Sequence, residues 1–414
     1  MSDAFASTPE AGWTLENEGY DVRSENNVEA RLAIGNGFLG VRAARSISRA
    51  PTWLSFLPGQ TWTSWPRTYV AGLFDTPNTD PPVPALVPLA DWLRVRVILD
   101  GEPLLLRTGQ TMLHRRTLDM RRGVLIGNWQ QRTPSGAVVQ VRSLHLVSLA
   151  DRAIGFQQVQ LVIDGKPSDA VMEASFECAG LGMQTQHLEQ NLGVWCTTQN
   201  RRSVAMAGDA TLSASGRQLI SAAPIPLTWR WNWTSTPGET VCLTRFVAVA
   251  RGDAPDADPA AAVRDALTRA TSVGWRAVLS AHEAAWAARW EDSDLAVDGD
   301  SAAATALRFA VYHLNSAANP HDERVSIGAR ALTGDSYLGH VFWDTEIYLL
   351  PFYILTWPEA ARALLLYRFH TLRGAREKAA AGGWRGAMYA WESADTGEET
   401  TPDRVMTQGG KLVD

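Results

Sequence analysis

The chain has 414 residues, of which 45% are hydrophobic and 20% charged, and its net charge is −6. A chain of this length predicts two or three domains with sizeable cores. The acidic balance and the lack of a long basic run argue against nucleic acid or an anionic membrane surface as a partner.

Targeting and membrane signals are not visible in the sequence. Met1–Phe5 contains no basic segment followed by an apolar run, so no secretory signal is recognised. The longest apolar stretch, 347–357, is interrupted by a proline and is too short to span a bilayer. Cys178, Cys196 and Cys242 lack the spacing of a disulfide framework or a zinc site. We therefore expect a cytoplasmic protein with reduced thiols, no membrane partner and no cofactor or metal.

Residues 1–250 are predicted to form strands. Side chains alternate in character over 93–99, and Asp100-Gly101 then offers a turn. A proline-rich loop is predicted for 77–88. A later strand places four apolar residues on one face: Leu227, Trp229, Trp231 and Trp233. We interpret this face as packing between two sheets rather than as a ligand surface. Many strands with Gly and Pro turns predict an antiparallel β-sandwich.

The hydrophobic period changes to a helical one near residue 255. One stripe recurs at three- and four-residue steps: Trp275, Leu279, His282, Trp286 and Trp290. His282 could serve as a ligand or base, or it could be a hydrogen-bonded histidine in a helix interface. Its place inside an apolar stripe favours the interface role. We predict a helical linker at 251–300.

Helices are predicted to dominate residues 301–414. Pro358 is placed as a first helical residue. That helix is expected to continue to Ala381, where Gly382 and Gly383 supply a stop.

Two clusters in this region, 339–346 and 391–399, combine tryptophan with acidic residues. Each sets a flat indole beside a carboxylate: Trp343 with Asp344, and Trp391 with Glu392. A pyranose has apolar C–H faces that lie on aromatic rings and hydroxyls that need acceptors, so this mixture indicates a sugar pocket. Asp344 also precedes an apolar run and is placed to cap a helix. Capping and ligand binding are both open for it, and its neighbours favour a site.

Seven motifs occur in a characteristic order along the chain: LAIGNGFLGVR at 32–42, LDMRRG at 118–123, IGAR at 327–330, LTG at 332–334, GHVFWDTE at 339–346, GAMY at 386–389 and WES at 391–393. In this combination they resemble glycoside hydrolase family 65. That family contains inverting α-glucoside phosphorylases, such as maltose, trehalose, kojibiose and nigerose phosphorylases, and some trehalose hydrolases.

The resemblance implies a multidomain β + α fold: an N-terminal β-sandwich at 1–250, a helical linker at 251–300, and at 301–414 the first, incomplete part of an (α/α)6 catalytic barrel. Family members are nearly twice this length. Their general-acid Glu lies in a later segment and is expected beyond Asp414, so no catalytic residue is assigned to this chain. Glu398 and Glu399 precede that segment and are interpreted as surface carboxylates.

The resemblance also implies half of a glucose subsite. Trp343 is expected to form a wall beside the reacting glucose, and Asp344 to accept its distal hydroxyls, at carbon 4 or carbon 6. Trp391 and Glu392 form the second pair.

Two further substrate-binding candidates are His340 and Arg330. For each, a structural salt bridge or hydrogen bond is the alternative to a sugar contact.

The implied reaction is phosphorolysis of an α-glucosyl disaccharide, with inversion, to glucose 1-phosphate and a free sugar. Inorganic phosphate is the expected co-substrate, and relatives suggest a homodimer. A phosphorylase needs only an acid, since phosphate is already an anionic nucleophile, whereas an inverting hydrolase also needs a base that activates water. A disaccharide hydrolase and an inactive carbohydrate-binding fragment are the alternatives. An incomplete barrel is expected to expose apolar helix faces.

Overall fold

The computed structural model describes residues 3–21, 23–43, 47, 68–78, 82–105, 111–178, 181–222, 225–253 and 257–401, with the backbone of 405–406 and 412–413. Within this part of the chain, no helix combines the length and the apolar character needed to cross a membrane.

The described strands are numbered in chain order. The first eleven are β1 Thr14–Glu18, β2 Ile34–Gly35, β3 Leu39–Val41, β4 Thr68–Asp75, β5 Ala85–Leu89, β6 Val95–Leu99, β7 Glu102–Pro103, β8 Thr111–Asp119, β9 Val124–Arg132, β10 Val138–Val147 and β11 Ile154–Asp164. The others are β12 Asp169–Ser175, β13 Met183–Leu188, β14 Leu192–Thr197, β15 Ser203–Ala214, β16 Arg217–Leu219, β17 Thr228–Thr234, β18 Thr240–Gly252, β19 Val341–Phe342, β20 Glu392–Ser393, β21 Val405–Met406 and β22 Leu412–Val413.

Apart from α1 near the N-terminus, the described α-helices follow the long strands. They are α1 Glu25–Arg31, α2 Pro259–Val273, α3 Trp275–Ser293, α4 Ser301–Ala317, α5 Leu350–Thr356, α6 Pro358–His370 and α7 Leu372–Ala381. Two short turns flank β19: a tight turn at Ser336–Gly339 and a wide, π-type turn at Thr345–Leu349.

The strands of the first half form antiparallel sheets that share one core. The largest sheet runs in the order β1-β8-β9-β10-β11-β18-β15-β14-β13, and a smaller one runs β17-β12-β6-β7. Val159 and Leu161 of the large sheet belong to the same buried cluster as Met172 and Trp231 of the small one. The packed antiparallel sheets fit the predicted β-sandwich.

The tryptophans of β17 serve this core. Trp229 and Trp231 are buried, and Trp233 is partly buried against the same cluster. The interpretation of this face as packing is confirmed.

The stripe on α3 packs against the large sheet. Leu279, His282, Trp286 and Trp290 are buried there. His282 Nδ1 accepts the Leu149 backbone N–H at 3.2 Å, and its Nε2 lies 3.1 Å from the Gly123 carbonyl oxygen. Burial lowers the pKa of His282 to about 4, so the ring is neutral in the folded protein. The interface reading of His282 is confirmed, and the ligand reading is wrong.

The helical part differs from the sequence prediction at one point. Pro358 is the first residue of α6, as predicted, but the helix stops at His370 rather than continuing to Ala381. The Thr371 hydroxyl donates to the Tyr367 carbonyl at 2.9 Å. At Thr371 the backbone, with φ −94° and ψ 7°, departs from α-helical values, and α7 begins at Leu372.

The change from strands to helices falls between Gly252, the end of β18, and Pro259, the start of α2. Helices α2 and α3 follow, and Ser301 begins α4. The division into domains at 250 and 300 stays a prediction.

Candidate functional site

The two Trp-acid clusters meet at a short antiparallel ladder. Val341 pairs with Ser393 and Phe342 with Glu392. Continuing this register places Trp343, which follows β19, opposite Trp391, which precedes β20. Their ring centroids are 4.6 Å apart at an interplanar angle of 76°. The two indoles are 38% and 40% exposed, so they line a surface rather than a core.

The indole pair is one end of a row of aromatic rings. Phe342 meets Trp391 edge-on at 5.6 Å, and Tyr337 meets Phe342 edge-on at 5.7 Å. Tyr337 and the next residue, Leu338, have positive φ values of 58° and 54°. Left-handed backbone costs a non-glycine residue about 1–2 kcal/mol. The chain thus keeps a strained turn beside the site, as functional sites often do.

Asp344 lies at the start of the wide turn, and its side chain makes no capping hydrogen bond. The capping alternative is therefore wrong. Its Oδ2 atom is buried and has no hydrogen-bond partner among the described residues. A buried acceptor without a partner costs about 1–3 kcal/mol, and a ligand hydroxyl that donates to it removes this penalty.

Glu346, two residues further on, is held by a helix that sequence reasoning did not connect with the cluster. Its Oε2 accepts from Arg368 of α6 at 2.7 Å, while its Oε1 is buried and unpaired within the described structure. The Tyr389 hydroxyl donates to the Arg368 backbone carbonyl at 3.0 Å. No local pattern in α6 marks Arg368, because its partner comes from a different element.

His340 is fully buried, which excludes direct contact with a ligand in this structure. Its Nδ1 lies 2.9 Å from Glu392 Oε2, and its Nε2 lies 2.7 Å from the Pro84 carbonyl oxygen. The prediction of a direct sugar contact is therefore corrected to the hydrogen-bonding alternative. The sequence signal for a site at His340 was its place beside Trp343, and burial is not visible in such a signal.

Arg330 is exposed, and its guanidinium makes no hydrogen bond or ion pair with any residue described. The preceding residue, Ala329, donates its backbone N–H to the His340 carbonyl at 3.0 Å. The segment therefore borders β19, and a role for Arg330 in substrate binding stays a prediction.

Asp395, just after β20, is tied to the first half of the chain. Its Oδ2 accepts from Arg202 at 2.7 Å, and its Oδ1 is buried without a partner in the described part of the chain. Asp395 belongs to the second Trp-acid cluster, but its arginine partner was not predicted.

Glu398 and Glu399 are exposed, and Glu399 is ion-paired with Lys378 of α7. This arrangement agrees with their interpretation as surface carboxylates. Among the residues that the structure covers, no group of three or more His, Cys, Asp or Glu side chains could hold a metal ion.

Helices α5 and α6 present apolar side chains to the outside. Four of them are at least half exposed: Ile354, Leu355, Leu365 and Phe369. Exposed apolar side chains were expected for part of a helical barrel.

Comparison with known proteins places these features in a family. Two family models match the chain, the glycosyl hydrolase family 65 N-terminal domain over residues 15–289 and the family 65 central catalytic domain over residues 308–409.

Curated relatives and a solved structure give the same picture. Kojibiose phosphorylase from Halothermothrix orenii is 31% identical over 97% of this chain and 53% of its own length. Kojibiose phosphorylase from Escherichia coli is 32% identical over 94% of this chain and 51% of its own length. A solved structure of a human-microbiome protein, provisionally assigned as a kojibiose phosphorylase, has a similar fold, with a TM-score of 0.79 and 19% sequence identity. The match covers 95% of this chain and 54% of that one.

The chain thus spans about half the length of the curated relatives that it matches. The family models cover most of its residues in both the strand-rich and the helical parts. The chain belongs to glycosyl hydrolase family 65.

Proposed function

We propose that the chain carries the donor-glucose site of an inverting α-glucoside phosphorylase. Such an enzyme would transfer the glucosyl group of a disaccharide to inorganic phosphate. A phosphate oxygen bonds to the anomeric carbon, the glycosidic C–O bond breaks, and an acid protonates the leaving oxygen. The products are glucose 1-phosphate and a free sugar.

The observation that carries the proposal is the half-exposed pair formed by Trp343 and Trp391, with a carboxylate beside each indole. One face of a pyranose would lie against the indoles and lose water there. The hydroxyl groups at the far end of the ring would donate to Asp344, whose buried Oδ2 has no partner in the described structure. Glu392 would accept a further hydroxyl.

The other components of the reaction are proposed only because the chain belongs to family 65. The general acid and the phosphate-binding groups are not assigned to any described residue. The (α/α)6 barrel and a homodimer are likewise expectations from the family. Because both curated relatives described above are kojibiose phosphorylases, kojibiose is the first disaccharide to test.

The experiment uses a protein that contains this chain together with the rest of the family 65 catalytic domain. It is incubated with kojibiose with and without inorganic phosphate, and the products are separated. Glucose 1-phosphate that forms only with phosphate supports the proposal. Glucose released without phosphate supports the hydrolase alternative. Glucose binding without any cleavage supports a carbohydrate-binding role.

A matched pair of variants connects the activity to the site. Trp343→Ala should lose most of the phosphorolysis. Trp384→Ala should not, because Trp384 is 67% exposed on the loop after α7 and belongs to no contact of the proposed site.

A further inference from the structure

We propose that His340 is a positioning residue, which holds Glu392 for the sugar and is itself held by the proline-rich segment of the first half of the chain. This inference rests on the proposed glucose site. According to this inference, the strand-rich half of the chain helps to position the residues of that site.

The geometry around His340 leaves the ring a single orientation. The side chain is fully buried, with Glu392 Oε2 at 2.9 Å and, more distantly, the Thr400 hydroxyl at 3.4 Å from Nδ1, and the Pro84 carbonyl oxygen at 2.7 Å from Nε2. A carbonyl oxygen only accepts, so Nε2 carries a hydrogen. Because the two partners lie on opposite sides of the ring, the Pro84 contact fixes the direction in which Nδ1 faces.

The contact with Glu392 requires one shared proton. With Nε2–H donating to Pro84, Nδ1 and the carboxylate would both be acceptors unless a proton lies between them. A hydrogen therefore lies between Nδ1 and Oε2. One carboxyl oxygen of Glu392 is engaged in this way, and the other makes no hydrogen bond with a described residue. A sugar hydroxyl can use that second oxygen.

A second anchor supports the same role for the first half of the chain. Arg202, between β14 and β15, binds the Asp395 carboxylate at 2.7 Å. Leu86 of β5 lies directly under Gly339, where a Cβ atom would come within 2.5 Å of the Leu86 Cβ. The residues before β19 and after β20 are thus both held against the strand-rich half.

Two substitutions separate positioning from simple packing. In His340→Asn the amide nitrogen can occupy the place of Nδ1 and donate to Glu392, but it cannot reach Pro84. In His340→Gln the amide nitrogen can occupy the place of Nε2 and donate to Pro84, but Glu392 loses its partner. Gln is the larger side chain and fills the space better, so a packing role predicts the opposite order of effects.

The experiment is isothermal titration of residues 1–414 and the variants with glucose, with the thermal midpoint as the control for folding. His340→Gln should weaken binding about tenfold, in line with a lost hydrogen bond to a charged group. His340→Asn should stay within about threefold of the unsubstituted chain. The double variant His340→Gln, Glu392→Ala should bind glucose no more weakly than Glu392→Ala alone, because the two residues act as a unit.

The outcomes distinguish this inference from the proposed function. If Glu392→Ala weakens glucose binding but both His340 variants bind normally, or if Gln is tolerated better than Asn, the positioning role is wrong and the site stands. If neither this chain nor the longer protein of the phosphorolysis test binds glucose, both are wrong. A readout without substitution is the ¹⁵N resonance of His340 Nδ1, which should shift when glucose is added. An unchanged resonance under saturating glucose contradicts the inference.

Discussion

Trp343 and Trp391 stand opposite each other in the register of the β19–β20 ladder, with ring centroids 4.6 Å apart. Neither residue is near the other in sequence, and both remain partly exposed. The ladder is therefore the structural cause of the aromatic surface on which the glucose proposal depends.

The first prediction concerns that surface. Trp343→Ala and Trp391→Ala should each weaken glucose binding by about tenfold, because each removes a stacking contact worth about 1.4 kcal/mol. Calorimetric titration of residues 1–414 measures the loss. Trp384→Ala serves as the exposed-tryptophan control and should bind as the unsubstituted chain does. Equal losses in all three variants would argue against a localised site.

The second prediction separates binding from stability at Asp344. Asp344→Asn should weaken glucose binding, because the amide presents only one acceptor, yet it should not lower the free energy of unfolding. The Asp344 Oδ2 atom is buried without a partner, so removing the charge relieves a desolvation penalty of about 1–3 kcal/mol. Urea denaturation measures the free energy of unfolding. A loss of about 1 kcal/mol, the usual cost of deleting a helix cap, would restore the capping interpretation.

The third prediction explains the glycine of the first family motif. Gly37 has φ +78°, and a Cβ atom there would lie 2.2 Å from the Ala318 carbonyl oxygen. Gly37→Ala should therefore cost at least about 3 kcal/mol, since both strain and a clash with backbone are added. Gly101 has φ +82° with nothing within 4 Å of the added atom. Gly101→Ala is the control and should cost only about 1 kcal/mol. Chemical denaturation compares the two, and similar losses would contradict the close approach of Gly37 to the end of α4.

The fourth prediction is a pH dependence of stability that arises at His282. Burial lowers the pKa of His282 to about 4 from its ordinary value of 6.5. Between these values the unfolded chain binds a proton that the folded chain does not. The free energy of unfolding should thus fall as the pH drops from 6.5 towards 4, by up to about 1.4 kcal/mol per pH unit for this group.

His282→Gln should flatten this slope by that amount, while Trp286→Phe, a neighbouring packing change, should lower stability without changing the slope. Burial also lowers the pKa of His145 and His313, so part of the slope should remain in the variant. Denaturation curves recorded between pH 5 and pH 7 measure the slopes. Parallel curves for His282→Gln and the unsubstituted chain would show that His282 is not neutral in the fold.

Local patterns in the sequence predicted the local structure well. The stripe on α3 and the alternation on β17 are properties of single elements, and both proved to face the core. The helix predicted to run from Pro358 to Ala381 was wrong in its length, because the backbone at Thr371, with φ −94° and ψ 7°, leaves the α-helical region after His370. A departure at one residue does not change the hydrophobic period, so periodicity does not report it.

The assembly of the site was less accessible to sequence reasoning. Ordered motifs pointed to Trp343 and Trp391, but β19 and β20 have only two residues each, too few for any alternation to predict their pairing. The partners that hold the carboxylates in place, Arg202, Arg368 and the Pro84 carbonyl, come from distant elements. Contacts between distant elements are set by tertiary packing, so no local pattern marks these residues.

The most direct test of the glucose site is a crystal structure of residues 1–414 with glucose bound. We predict one pyranose lying against the indoles of Trp343 and Trp391, with its hydroxyl groups within hydrogen-bond distance of Asp344 and Glu392. Glucose bound elsewhere on the chain, with both indoles and the Asp344 carboxylate left free, would contradict the account.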